Sequence, residues 1–385
     1  LKQKVVVIGA GIIGTAVAYY LSKQNVEVIL VEAKDIAAGT SGACDKAIML
    51  QSKKVGPALD LAIQSAMIYK ELEQELQQDL EYHNGGGMIL IENQLELNVL
   101  QERVKQQQAV GLKVKLLSGE EIRRKNPHIS KNILAATWCE EDAEINPMHT
   151  AFAFAKAAYK NNVQIHLHSE VVELIIRNNQ IQGVQTTNGA IYADSVILCS
   201  GVWTKHLLNT IDLDIPIKPR KGVILVTEKL PRMIDCNILS GAYLAAKLQI
   251  DNDPSTVGVG LAISQTKSGT LLIGGSREFV GFDPTVKGEI IRAIAKRAVA
   301  AFPILEHTNL IRSFAGFRPH TPDNLPILSD IPSIHGLFIA AGHEGDGVAL
   351  APITGQLAAK LVTRQNIDVD LTPYRFDRFS TNTVS

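Results

Sequence analysis

The sequence predicts a mixed fold: an α/β unit on a parallel sheet, interleaved with a second unit of α+β character on a mainly antiparallel sheet with helices. Three observations predict it. The chain opens on a strand, a glycine-rich turn, a helix and a second strand. Its middle is a series of short β-rich runs separated by Asn, Asp and Gly turns, and it closes on another strand, a glycine turn and an apolar helix. With 385 residues it is long enough for two domains of ordinary size.

Val5, Val6, Val7 and Ile8 form a continuous apolar run, as a strand covered on both faces requires. A helix over 12–24 and a strand over 27–31 complete a β-α-β unit, the crossover that parallel strands need. Leu61, Ile63, Met67, Ile68, Leu72 and Leu76 recur at helical spacing within 57–80. Gly85-Gly86-Gly87 then breaks the chain before a strand over 88–91, and a helix is expected over 94–108. Strands are expected over 164–168, 171–176, 181–186 and 190–198, turned at Asn178-Asn179 and Asn188-Gly189. The stretch 217–283 is again strand-rich, with turns at 251–254 and 267–269. A helix over 286–301 is closed by Pro303, and a last strand over 337–341 leads through the turn 342–347 into a helix over 348–361. The polar tail from 363 is expected to fray at its end. No period of about 20 to 50 residues repeats, which excludes solenoids and propellers.

Hydrophobic residues make up 46% and charged residues 20% of the chain, the balance of a folded globular protein rather than a disordered one. Thirty-eight basic against 39 acidic residues leave a net charge of −1, so there is no positive field to grip a phosphate backbone. Nucleic acid is therefore not expected as the main partner, and the ligand should be small. No apolar run approaches the roughly 18 residues of a membrane span, and the first residues are too short for a secretory leader. Cys44, Cys139, Cys199 and Cys236 lie far apart with no CxxC, giving neither zinc nor iron-sulfur spacing and fitting a reducing, cytoplasmic compartment. No metal is expected.

Gly9-Ala10-Gly11-Ile12-Ile13-Gly14 follows a strand and opens a helix, and Glu32 ends the next strand about 20 residues on. That context makes it a Rossmann-like dinucleotide fingerprint. Gly9 permits a tight turn, Gly11 lets the backbone approach a pyrophosphate, and Gly14 allows close packing of helix on strand, while the helix start supplies N–H donors and a positive dipole end. Glu32, followed by Ala33, is placed to accept from a ribose hydroxyl. Hydroxyls and backbone donors at Gly39-Thr40-Ser41 could reach the second phosphate.

With these motifs the chain resembles the D-amino-acid oxidase and glycine oxidase family of FAD-dependent amine oxidoreductases. The resemblance covers nearly the whole length: the fingerprint, the 39–41 loop, Val171-Val172, the run from Ala193 to Gly201 with Trp203, Gly316-Phe317-Arg318-Pro319 with Pro322, Asp323 and Pro326, and Gly342-His343-Glu344-Gly345-Asp346-Gly347-Val348. It implies noncovalent FAD, with Val172 contacting adenine through its backbone, Ser200-Gly201 beside the pyrophosphate and the 342–348 turn against the flavin. The last turn also makes physical sense alone. A glycine-rich helix start points N–H groups and a positive dipole end at the negative charge that reduced flavin gathers, although a simple helix start capped by Asp346 would read the same way.

The resemblance further implies that Arg318 holds a substrate carboxylate, for which the planar guanidinium fork is suited, and that Tyr243, expected on a strand, bonds the same group. Arg318 merely pairing with Asp323, and Tyr243 as an ordinary half-buried strand residue, are the alternatives. Where glycine oxidase carries an arginine, this chain has Glu344-Gly345-Asp346, which weakens glycine as substrate. The 41–46 and 51–56 segments look more like the β subunits of L-proline and D-hydroxyproline dehydrogenases, opine oxidases, heteromeric sarcosine oxidase and hydrogen cyanide synthase. Lys46, Lys53 and Lys54 in them are either near flavin, at a subunit interface, or solvated.

The expected activity is oxidation of a secondary or imino-type amino acid to an imine by hydride transfer to flavin N5, with electrons passed to a partner flavoprotein or ferredoxin-like subunit. An oxygen-using glycine or D-amino-acid oxidase, an FAD-binding electron-transfer subunit, and an oxidoreductase for another substrate such as a glycerol phosphate remain open. The expected FAD domain comprises 1–80, 140–205 and 310–365, the substrate domain 81–139 and 206–309, and the tail 366–385.

Overall fold

The computed structural model describes residues 2–247 and 258–382. Its first sheet has six strands. Gln3–Ile8 lies at the centre, flanked in parallel by Val26–Val31 and Ser195–Leu198, with Val5 opposite both Val28 and Ser195. Gln164–His166 extends one edge in parallel; Leu337–Ala341 and then the antiparallel Ile327–Asp330 extend the other. The side-chain period of two explains why the first strand is apolar throughout. Val5 and Val7 point into a helical layer with Ala16, Tyr69, Phe154 and Leu350, whereas Val6 and Ile8 join Leu174, Ile181 and Val184 of a three-stranded meander. Helices Ile12–Ser22, Pro57–Leu76, Pro147–Lys160 and Gly347–Val362 build the first layer.

A second sheet of eight strands is antiparallel except where Asn237–Ser240 runs parallel to Gly87–Ile91. Helix Gly288–Ala301 covers it with Ile290, Ile294, Ala298 and Ala301, one stripe of a helix. The mixed α/β and α+β architecture is therefore the one the sequence predicts.

Several local expectations change. The strand expected over 190–198 is two: Gly189–Tyr192 ends the meander and Ser195–Leu198 enters the parallel sheet. Between them Asp194 accepts from Lys4 N at 2.7 Å, tying the bend to the first strand. Tyr243 lies on a short helix, Gly241–Lys247, not a strand. Leu310–His320 pairs along most of its length with Lys218–Lys229, so by hydrogen bonding this strand belongs to the eight-stranded sheet, although the expected boundary at 310 grouped it with the FAD segments. The tail docks as far as it is described: Tyr374 is buried and donates to Pro57 O at 2.7 Å, and Arg378 pairs with Asp323 at 2.8 Å. The expected turn at 251–254 lies outside the described residues. Among those residues no helix is long and apolar enough to cross a membrane.

Candidate active site

A cavity of about 370 Å³, the size range of small-molecule sites, is lined from both sheets. On the six-stranded side it meets the start of helix Ile12–Ser22. The chain turns there on Gly9, at φ +101°, a left-handed conformation that a side chain would strain. A Cβ on Gly14 would lie 1.8 Å from Gly9 O, so this glycine lets helix and turn touch rather than facing the cavity. The helix start carries no cap from its own Gly11; Ser41 Oγ instead accepts from Ile12 N at 2.9 Å, fastening the 39–41 loop across it. Thr40 Oγ1 donates to Phe317 O at 2.6 Å, which joins that loop to the second sheet.

Glu32 closes the strand Val26–Val31 beside this turn. Its Oε2 accepts from Ala10 N at 2.7 Å and its Oε1 from Lys34 N at 2.8 Å. Each carboxylate oxygen has a second lone pair, so the group can still accept from ribose hydroxyls. Open N–H groups at a helix start, a carboxylate acceptor and hydroxyls on a crossing loop are the donor set that a dinucleotide such as FAD needs. The residues present fit the cofactor.

At the 342–348 turn, helix Gly347–Val362 begins against the cavity. Asp346 stands at its N-cap but does not cap it. Its carboxylate pairs with Lys53 Nζ at 2.7 Å, both groups buried. His343 bonds Thr354 Oγ1 at 3.1 Å, and burial, opposed by Asp346, pushes its pKa down to about 4, so the imidazole is neutral at neutral pH. Glu344 is paired with fully buried Arg220, whose Nε donates to Oε1 at 3.1 Å, and it also accepts from Gly345 N. An acid at this position thus supports the turn and neutralises an arginine from the second sheet.

On the eight-stranded side lie Arg318 and Tyr243. Arg318 Nη1 donates to Ser276 O at 3.1 Å, and its guanidinium shares a hydrogen bond with Tyr243. Burial works against the charge, yet Tyr243, Glu344 and Asp45 outweigh it and hold the pKa above its ordinary value. Asp323 takes Arg378 instead, so the alternative pairing with Arg318 does not occur. His320, two residues further along the strand, is pushed down to about 4 by burial and by Arg220.

Of the residues expected at the site, Gly9, Gly11, Ile12, Ile13, Glu32, Ala33, Gly39, Thr40, Ser41, Ser200, Gly201, Trp203, Tyr243, Arg318, His343, Glu344, Gly345, Gly347 and Val348 line the cavity. Gly14, Val172, Gly342 and Asp346 do not. Val172 is 46% exposed, and its neighbours Ser169, Glu170 and Val171 line the wall instead. The sequence reading missed the Ala43-Cys44-Asp45 wall, the Gly274-Gly275 floor and the partners Arg220 and Arg277. Among the lysines, Lys46 is buried against Glu144 at 3.0 Å and Lys53 against Asp346, so neither is a solvated loop residue; Lys54 is exposed.

The family model for FAD-dependent oxidoreductases of the DAO type matches residues 4–361. Hydrogen cyanide synthase subunit HcnC of Pseudomonas protegens is 29% identical, over 99% of this chain and 97% of its own. Glycine oxidase of Bacillus subtilis is 30% identical, over 97% of this chain and 96% of its own. Among solved structures, L-proline dehydrogenase from P. horikoshii superposes with a TM-score of 0.89 and glycine oxidase from Geobacillus kaustophilus with 0.88, each at 26% identity and covering 98% of this chain, and 98% and 99% of theirs. Fingerprint, cavity and full-length likeness agree: the chain belongs to the DAO family and is an FAD-dependent oxidoreductase.

Proposed function

We propose that this enzyme oxidises a secondary or imino-type amino acid, such as proline, hydroxyproline, sarcosine or an opine, to the corresponding imine. The observation that carries the reading is Arg318: a guanidinium held charged at the cavity wall, bonded only to a carbonyl and a tyrosine hydroxyl in the contacts described above, and so open to a carboxylate. FAD supplies the hydride acceptor. Arg318 would fix the carboxylate in two places, Tyr243 would bond beside it, and the apolar wall of Ile224, Ala262 and Val348 would exclude water from the reacting carbon. A substrate amine that enters neutral needs no general base.

The cofactor is held without a covalent bond, by backbone donors and Glu32. The acceptor is a partner flavoprotein or ferredoxin-like subunit, a reading supported by the HcnC relative, which is named as a subunit of a synthase. An oxygen-using glycine or D-amino-acid oxidase is the second reading, favoured by the glycine oxidase of Bacillus subtilis at 30% identity. Anaerobic mixing of the FAD-loaded enzyme with proline, hydroxyproline, sarcosine, glycine, D-alanine and opines separates them. Bleaching by a secondary amine well ahead of glycine and D-alanine is expected; bleaching by glycine or D-alanine alone supports the oxidase, and no bleaching by any amine rejects both.

A further inference from the structure

Arg277 ends the strand Thr270–Arg277 beside the proposed carboxylate site. Its side chain is 7% exposed, and Nε, Nη1 and Nη2 all lack a hydrogen-bond partner among the described residues. Guanidinium carries five N–H donors, and burying them without acceptors is unfavourable. The contact that offsets part of this is the face of Tyr243, whose ring centre lies 4.2 Å from Arg277 Cζ.

The sheet sets where Arg277 faces. Gly275 and Arg277 are two residues apart and share one side of the strand. A Cβ at Gly275 would lie 3.5 Å from Arg318 Nη2 and 3.7 Å from Tyr243 Cε2, so that side carries the proposed carboxylate anchor. Tyr243 is thus flanked by two guanidiniums, Arg318 bonded to its hydroxyl and Arg277 over its ring. Arg220, the third arginine of the cluster, is already paired with Glu344. The cluster of Arg220, Arg277 and Arg318 therefore holds more positive charge than its carboxylates balance. One substrate carboxylate on Arg318 leaves Arg277 still in want of an anion.

Resting on the amino-acid reading above, we propose that Arg277 is a second anion subsite, taking the distal carboxylate of a dicarboxylic secondary amine while Arg318 takes the first. The 344–346 turn of this chain supplies no arginine, and the second cation of this site comes from the end of the strand Thr270–Arg277, against Tyr243. Iminodiacetate and opine-type N-(carboxyalkyl) amino acids have the matching chemistry, whereas proline and sarcosine present one carboxylate.

The test compares the FAD-loaded wild type with Arg277→Met. Calorimetric titration of the wild type is expected to show glutarate binding at least about tenfold tighter than butyrate, with the preference abolished in Arg277→Met and partly kept in Arg277→Lys. In anaerobic flavin reduction, Arg277→Met is expected to raise the Kd for iminodiacetate or an opine by about 30-fold or more while sarcosine and proline stay within about threefold. A purely structural role would weaken both substrate classes together and lower the Tm of the ligand-free enzyme; that result, or a wild type that does not distinguish glutarate from butyrate, overturns the subsite. If no amine reduces the flavin, the amino-acid reading fails, and the glutarate and butyrate titration still decides Arg277.

Discussion

At the scale of single residues, the site is a set of buried charges whose partners come from far along the chain. Lys53 pairs with Asp346, Arg220 with Glu344, and Arg318 with a carbonyl of the strand Thr270–Arg277, two places along the sheet. Each pairing releases a polar group that local sequence would have assigned otherwise; Asp346 reads as a helix cap and serves as a counter-ion. His343 shows what burial does to a titrating group. Its folded pKa of about 4 lies below the ordinary 6.5, so between those values the unfolded chain binds the extra proton and stability falls as pH falls. His320 acts in the same direction, and Asp142, raised to about 6 by burial, opposes them over part of the window. His343→Asn should flatten the rise in unfolding free energy between pH 4 and 6.5 by up to about 1.4 kcal/mol per pH unit, measured by denaturant titration. An unchanged slope would mean that His343 is charged in the folded protein. Arg318 was legible because Gly316-Phe317-Arg318-Pro319 is a local string. Arg277 was not, because an arginine whose donors have no partner can be recognised only once the strand is folded against Tyr243.

The elements follow the same division. The first strand, glycine turn and helix were legible because each is dictated within about 30 residues: an apolar run, a turn that needs Gly9, a contact that needs Gly14, an acid at the end of the next strand. The overlap at Gly14 also gives a sharp prediction. Gly14→Ala puts a methyl group into Gly9 O and must displace the turn, so the purified variant should lose most of its flavin absorbance per chain. Gly288→Ala is the control, since nothing lies within 4 Å of a Cβ there and FAD content should not change. Equal FAD content in both variants would remove the turn from the cofactor site. Elements whose identity depends on distant pairing were misread. Tyr243 sits among strand-like segments, and a helix of seven residues leaves too short a periodic signal to stand out. The break at Asp194 is fixed by a hydrogen bond from Lys4 N on the adjacent strand of the sheet, 190 residues away along the chain.

For the whole molecule, two sheets of different construction meet at one cavity, and each contributes a different kind of chemistry. The six-stranded sheet presents backbone: helix starts at Ile12 and Gly347, a glycine turn, and Glu32. The eight-stranded side presents side chains, Arg318 from a strand and Tyr243 from a short helix. A near-neutral protein can bind an anionic cofactor, and the proposed carboxylate substrate, in this way because the positive potential is local, made by dipole ends and a few buried guanidiniums. The fold class and the cofactor half were readable from motifs, since backbone recognition leaves glycines at fixed spacing. The proposed substrate half was readable only in part, because its side chains are assembled from separate strands and one short helix. Rapid-mixing measurement of flavin reduction against concentration of the best substrate, in the wild type and in Arg318→Ala, tests the division directly. The division predicts FAD content unchanged and a substrate Kd raised by about 100-fold or more, the loss of a charge-assisted two-point contact. An Arg318→Ala enzyme with wild-type Kd and reduction rate would contradict it.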